Sequence, residues 1–352
     1  MTNGQKLRLK YFTTTAVSAG ILGILTVFAG HGIEDITFKI SSFFSEAVDP
    51  ASYLSLKMAS AAMLGVYRPQ LYRFKHGNFE VTTILDGVAQ MDGPHPFFGV
   101  NQSAETVQNY AREHHLPADW FENGFVPVLV NTGQQLVLFD TGFGAARRGS
   151  GAGNLRDLLN TAGYSPDQID IVVITHGHPD HILGLMEEGQ PAYENARYVF
   201  GETEFEFWNK GENIPEGRQE NRELYVKVVT PLAEKATFIK GGDEVVTGIE
   251  AIDAFGHSAG HMVFHVQSEG QKLLLMADTA NHNILALQKP DWQMRVDDDR
   301  EMAVATRKRV LDMVSNDKIP VVGHHMPFPS VGFVGKTGEG YHWEPVSYHF
   351  HR

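Results

Sequence analysis

Between positions 175 and 181 the chain reads Thr-His-Gly-His-Pro-Asp-His, so His176, His178, Asp180 and His181 offer four metal-binding donors within six positions. The run follows directly on Ile169–Ile174, a β-forming stretch. In an extended backbone, side chains two apart point the same way, so His176 and His178 can converge on one ion. Pro179 keeps His178 out of helical conformation. Asp180 and His181 then leave in another direction, suited to a second ion. A bound divalent ion lowers the pKa of a coordinated water from about 15.7 towards 7 and polarises a carbonyl or phosphoryl oxygen. Such a centre hydrolyses esters without a serine or cysteine nucleophile.

The elements that must hold this run are legible around it. Phe79–Leu85, Phe125–Val130 and Gln135–Phe139 are β-rich, and they stop at the turn signals Asp86-Gly87, Asn131-Thr132-Gly133 and Asp140-Thr141-Gly142. Leu155, Leu158 and Leu159 recur at helical spacing, predicting a helix over Asn154–Ala162. A helix is expected over Ile182–Glu188, with further strands at Ala196–Phe200, Glu244–Ala251, Met262–Val266 and Lys272–Met276. A helix over Glu301–Val314 and a short last strand at Pro320–Val322 complete the pattern. Strands interleaved with helices point to a layered α/β architecture.

Composition narrows the chemistry. The chain has 352 residues, 42% of them hydrophobic and 20% charged, enough to bury a sizeable core. A formal net charge of −13 repels phosphate backbones, so no nucleic-acid partner is expected. Cysteine is absent, which excludes disulfides and thiolate ligands; any metal must sit on His, Asp or Glu. Lys6, Arg8 and Lys10 precede an uncharged, mostly apolar stretch from Ala16 to Ala29, the pattern of an export signal. Residues 1–29 are read as that signal, with an uncleaved membrane anchor as the alternative. Residues 30–71 are a leader, and residues 72–352 the catalytic domain. A periplasmic or secreted protein follows, touching a membrane only if the segment is retained.

The histidine run resembles the signature of the metallo-β-lactamase superfamily, whose fold is an αββα sandwich with two metal ions at one edge of its sheets. Gly256-His257-Ser258-Ala259-Gly260-His261 is similar to a second motif of that family, and Leu275-Met276-Ala277-Asp278-Thr279 to the strand end whose aspartate is shared by both ions. Gly323-His324-His325-Met326-Pro327-Phe328-Pro329 resembles the last ligand motif. The resemblance implies His176, His178 and His257 on one ion, Asp180, His181 and His325 on the other, and Asp278 between them. It gives Asp180 and Asp278 catalytic as well as ligand roles. Zinc is the first expectation for the two divalent ions, with manganese, cobalt or iron as alternatives.

His324 competes with His325 for the last position. The spacing to Pro-Phe-Pro favours His325, and in an extended strand His324 would point the opposite way. His261 reads as a supporting residue, Asp140 as a partner orienting a ligand imidazole, and His282 as either a pocket residue or a solvated loop histidine.

Pro290-Asp291-Trp292, Asp297-Asp298-Asp299 and His325-x-Pro-Phe-Pro, with Tyr341 and Pro345, look like the methyl parathion hydrolase branch, as does Tyr72-Arg73-Phe74-Lys75 leading into Phe79. The likeness covers residues 72–348. It implies small uncharged substrates, namely esters, lactones including acyl-homoserine lactones, or organophosphate triesters. Acyl-homoserine lactonases often carry a tyrosine three residues past the shared aspartate, where this chain has Asn281. Phe97, Phe98, Trp120, Phe205, Phe207 and Trp208 are aromatics in or near expected loops that could line an apolar pocket, although for each one alone core packing is the better reading. The competing readings are thioester or phosphodiester hydrolysis on the same centre, or a non-catalytic metal-binding protein. A homodimer is the default assembly.

Overall fold

Ile171–Ile174 is apolar at every position because both of its faces are covered, and that double covering organises the molecule. The computed structural model describes Met63, residues 65–347 and Phe350. The expected signal segment 1–29 and the leader 30–71, apart from Met63 and residues 65–71, lie outside the described residues. The unit described below begins at Arg68.

The first half runs β1 (Leu71–His76), β2 (Phe79–Ile84), β3 (Gly87–Asp92), helix α1 (Ala104–Glu113), β4 (Trp120–Phe125), β5 (Val128–Asn131), β6 (Leu136–Phe139) and α2 (Leu155–Thr161). It continues through β7 (Ile171–Ile174), the short α3 (Pro179–Ile182), β8 (Met186–Glu187), β9 (Gln190–Pro191), β10 (Arg197–Gly201), α4 (Glu202–Lys210), α5 (Gln219–Val228) and β11 (Ala236–Ile239). The second half comprises β12 (Glu244–Val246), β13 (Ile249–Asp253), β14 (Met262–Ser268), β15 (Gln271–Ala277), α6 (Arg300–Asp317), β16 (Val321–Gly323), β17 (Val331–Thr337) and β18 (Gly340–Pro345). Each half forms one large sheet, ordered β1-β2-β5-β6-β7-β10-β11 and β12-β13-β14-β15-β16-β17-β18.

Side-chain alternation then builds the layers. Val137, Phe139, Ile171, Val173 and Val199 of the first sheet meet Phe264, Val266, Leu273 and Leu275 of the second in a shared core. Leu138, Val172 and Ile174 turn outward under Leu155, Leu159, Trp208 and Tyr225 of the helices. On the far side, Leu274, Met276 and Val321 pack beneath Val310, Leu311 and Val314 of α6. This is the expected αββα sandwich.

Several local expectations change. The helix expected over Ile182–Glu188 is instead the end of α3, one 3-10 turn at Leu183–Leu185, and β8. The Gly184 amide donates to the Gly142 carbonyl (3.0 Å) and not back along a helix, and a Cβ there would lie 1.9 Å from the Thr141 carbonyl oxygen, so the segment is tied to the neighbouring loop. Glu244–Ala251 is two strands, β12 and β13, paired antiparallel across the turn at Thr247-Gly248. Pro320–Val322 is not the last strand, because the β17–β18 hairpin follows it in the same sheet.

Phe264 is fully buried between the sheets and packs on Phe139 with ring centroids 5.1 Å apart. Phe264→Ala is expected to cost about 3–5 kcal/mol of folding stability, seen as a lowered urea midpoint at unchanged slope.

Candidate metal centre and active site

The donors arise where strands end. β6 delivers Asp140, β7 delivers Thr175 and His176, β15 delivers Asp278, and β16 delivers His324 and His325. His257 sits in the connection from β13 to β14, and α3 presents Asp180 and His181. Two backbone bonds hold these ends together: Met262 N–H donates across the sheets to the Thr175 carbonyl (3.0 Å), and His324 N–H to the Ala277 carbonyl (3.2 Å). Asp140 and Ala277 adopt left-handed backbone, with φ of 60° and 42°. Residues other than glycine accept that conformation at a cost and often at functional sites.

Three overlapping groups have donor atoms within 4.8 Å of one another: His176, His178 and His257; His176, His181 and Asp278; and Asp180, His181, His324 and His325. All seven residues expected as ligands are therefore brought together. Asp278 stands centrally, its oxygens 3.3 Å from His181 Nε2, 3.3 Å from His257 Nε2 and 2.9 Å from His325 Nε2.

Hydrogen bonding fixes which ring nitrogen each imidazole can offer. Asp140 Oδ2 accepts from His181 Nδ1 (2.8 Å), leaving Nε2 for an ion. The Thr175 hydroxyl donates its proton to Asp140 (3.0 Å), so it accepts from His176 Nδ1 (3.1 Å) and leaves that Nε2 a lone pair. His257 Nδ1 donates to Asp297 (2.9 Å), and His325 Nδ1 to the Gly124 carbonyl (2.7 Å). The lone pair on His257 Nε2 then lies 3.0 Å from His178 Nδ1. His178 Nε2 faces Asp298 Oδ2 at 3.8 Å, and Arg218 anchors the other oxygen of Asp298 at 2.7 Å.

These contacts fit metal binding. His176 Nε2, His181 Nε2, His324 Nε2 and Asp278 Oδ1 are buried without a hydrogen-bond partner among the described residues. Leaving buried polar atoms unpaired is costly, and cations between them would satisfy all four. The electrostatics agree. Against the desolvation that opposes it, neighbouring imidazoles hold the Asp278 carboxyl well below its usual range, and Asp180 likewise. Burial works to lower His257, yet its hydrogen bonds to Asp278 and Asp297 raise it to about 9, so that without an ion a proton stands in the place between His257 Nε2 and Asp278 that an ion would take. Burial depresses His178 to about 4.

His261 is a supporting residue, as expected. Its Nδ1 donates to the Ala254 carbonyl (2.9 Å), and its Nε2 accepts from the Asp278 amide (3.2 Å), so neither nitrogen is free for an ion. His324 departs from the alternation rule. β16 stops at Gly323 and residues 324–325 form a turn, so both histidines face the donors. Of the aromatics that could have lined a pocket, most pack in the core, the other reading open to them. Phe97 and Phe98 are core residues, Trp120 is exposed on β4, and Phe205, Phe207 and Trp208 belong to α4.

Gly256-His257-Ser258-Ala259-Gly260 has the Gly-x-Ser-x-Gly spacing of serine hydrolases. It connects two strands, not a strand and a helix, and Ser258 is buried with its hydroxyl donating to Glu204 (2.9 Å). It is not a nucleophile.

Sequence reasoning missed the carboxylate that Ser258 binds. Glu204, on α4, accepts from Gly177 N–H (2.7 Å), Trp208 Nε1 (2.7 Å), Ser258 Oγ (2.9 Å) and Gly260 N–H (2.6 Å). It ties the loop of His176 and His178 to the loop of His257. A Cβ at Gly177 would meet Trp208 Nε1 at 2.5 Å, so only glycine lets that loop lie so close to α4. Arg307 was also missed. It is fully buried on α6 and donates to Asp297 Oδ2 (2.9 Å) and the Thr279 carbonyl (3.1 Å), supporting His257 and the segment of Asp278 together. The available signal was a charged residue on an otherwise apolar helix face: Glu204 four before Trp208, and Arg307 among Ala303, Val310 and Val314.

Residues 126–324 match the family described as the Metallo-beta-lactamase superfamily. The chain belongs to that superfamily. The N-acyl homoserine lactonase AiiA of Bacillus thuringiensis subsp. kurstaki is 26% identical over 173 residues, 48% of this chain and 60% of the relative. The chain thus spans about 60% of the length of the curated relatives it matches. Among solved structures, AidC, a dizinc quorum-quenching lactonase in complex with a product, superposes with a TM-score of 0.74 at 24% identity. That match covers 79% of this chain and 98% of AidC. The hydrolase AbOPH superposes at 0.73 and 24% identity, over 80% and 99% of the two chains. The sandwich described above is the metallo-β-lactamase fold.

Glu204→Ala strips four donors of their acceptor and frees both loops. It is expected to weaken metal retention about 10- to 100-fold, measured by titration with a competing chelator. Glu204→Gln is expected to be milder, because its carbonyl can still receive the Gly177 and Trp208 donors.

Proposed function

We propose that this protein is a hydrolase of small uncharged esters and lactones that works with two divalent ions, zinc first among them. His176, His178 and His257 would hold one ion, Asp180, His181 and His325 the other, and Asp278 both. When bound, the ions supply a water acidic enough to attack at neutral pH and a charge that polarises the carbonyl. The observation that carries the reading is the convergence of these seven side chains, six of them buried, beside a cavity of about 620 Å³ that His325 itself lines.

The cavity supports an uncharged substrate. Leu71, Leu85, Val88, Met326 and Phe328 contribute apolar walls. Its charged lining residues, Arg68 and Glu122, neutralise each other through two bonds of 2.7 and 2.9 Å. Among the described residues no unpaired cation awaits a phosphodiester or a carboxylate there, which disfavours the phosphodiester alternative.

Two further residues shape the chemistry. Asn281 donates to Asp278 Oδ2 (2.9 Å) and so steadies the shared carboxylate. His282 lines the cavity, and its Nδ1 accepts from the amides of Ile284 (3.0 Å) and Leu285 (3.2 Å). Its proton therefore resides on Nε2, and burial lowers its pKa to about 4, so the ring is a neutral donor at physiological pH. That N–H is suited to the carbonyl or leaving oxygen of a bound ester.

A panel of acyl-homoserine lactones, dihydrocoumarin, aryl esters and paraoxon-type triesters tests the proposal. Lactone or ester turnover is expected, abolished by chelator and restored by zinc. His178→Ala should lower it at least about hundredfold, and metal-replete protein inert on the whole panel would overturn the reading. Triester turnover alone would assign the organophosphate branch instead. His282→Phe is expected to reduce kcat about 10²-fold at unchanged metal content. We also propose export through residues 1–29, for which N-terminal sequencing of the mature protein is the test.

A further inference from the structure

The turn after β16 presents two histidines where the seven-donor arrangement needs one. His325 has its proton committed to the Gly124 carbonyl, and its Nε2 lies 2.9 Å from Asp278 and 3.4 Å from Asp180. His324 is 3% exposed, and its Nε2 is buried with no hydrogen-bond partner. Its ring packs against His181 (centroids 4.0 Å, planes 33° apart) and His325 (4.8 Å). A donor atom of His324 lies within 4.8 Å of those of Asp180, His181 and His325. An imidazole serving only as packing would bury a polar nitrogen for nothing, where an apolar ring would cost less.

We propose that His324 is an eighth protein donor, binding the second ion alongside Asp180, His181 and His325. The inference rests on the two-ion reading above. With Asp278 shared, the second position then offers three nitrogens and two carboxylates, while the first offers three nitrogens and one carboxylate. Five protein donors exceed the four that closed zinc sites use. The second position therefore holds its ion more firmly than the first and accepts metals of higher coordination number, such as manganese or cobalt.

The test uses the full-length protein loaded with zinc, and separately with cobalt. Metal per chain is measured against increasing chelator for wild type, His324→Phe and His325→Phe, with circular dichroism reporting the fold. In the wild type, one ion should leave at lower chelator than the other. In His324→Phe, the more firmly held ion should be lost at about tenfold lower chelator or less. The cobalt protein's visible absorption should intensify as the coordination number falls. If His324→Phe retains both ions on the wild-type curve with an unchanged cobalt spectrum, His324 is packing alone and the proposal is overturned. Should that variant not fold, His324→Asn goes through the same titration and decides in the same way. Wild-type protein that binds no metal overturns this proposal and the two-ion reading together. Two tightly bound ions with an inert substrate panel overturn the hydrolase reading alone.

Discussion

Seven polar side chains converge in one place, six of them buried, and each must be satisfied there. Two carboxylates and five imidazoles crowd together, six of the seven below 10% exposure, and His176 Nε2, His181 Nε2 and Asp278 Oδ1 find no hydrogen-bond partner among the described residues. Burial of that kind is tolerable only where the geometry is held from outside and the charge balanced from within. The strand ends, the close loops and the second layer of acids all follow from that demand.

The outside support is a set of cross-ties rather than one scaffold. Asp140 holds His181 and Thr175, and through the threonine hydroxyl it sets the ring of His176. Glu204 joins two loops from different sheets, and Asp297 with Arg307 anchors His257 to the helix covering the second sheet. The acidic run at 297–299 divides its labour. Asp297 orients His257, Asp298 stands beside His178, and Asp299 caps α6 by accepting from Met302 N–H (3.0 Å).

Much of this was legible in the sequence, for identifiable reasons. The double-faced burial of β7 makes its apolar run unmistakable, and the histidine run marks its end. The layered α/β architecture and the seven expected donors needed no coordinates. What escaped was set by tertiary contact. The helix over Ile182–Glu188 yielded to the bond by which Gly184 N–H reaches the Gly142 carbonyl of the neighbouring loop. The β17–β18 hairpin was hidden by glycines that interrupt its alternation, and α4 by the aromatics that suggested a pocket. His324 was placed outward by a rule valid for extended chain, and the strand had already ended. Glu204 and Arg307 carry no motif, and their roles exist only once two loops meet over them.

The two sheets are built from successive stretches of chain, β1 to β11 and then β12 to β18, and each supplies only part of the donor set. The first half brings His176, His178, Asp180 and His181; the second brings His257, Asp278 and the histidine pair. The centre is in effect a rivet through both plates of the sandwich, and neither plate can close it alone. During synthesis the early histidines leave the ribosome well before their complements. His325 follows His176 by 149 positions. A full complement of ions can therefore be captured only once the second sheet has closed on the first.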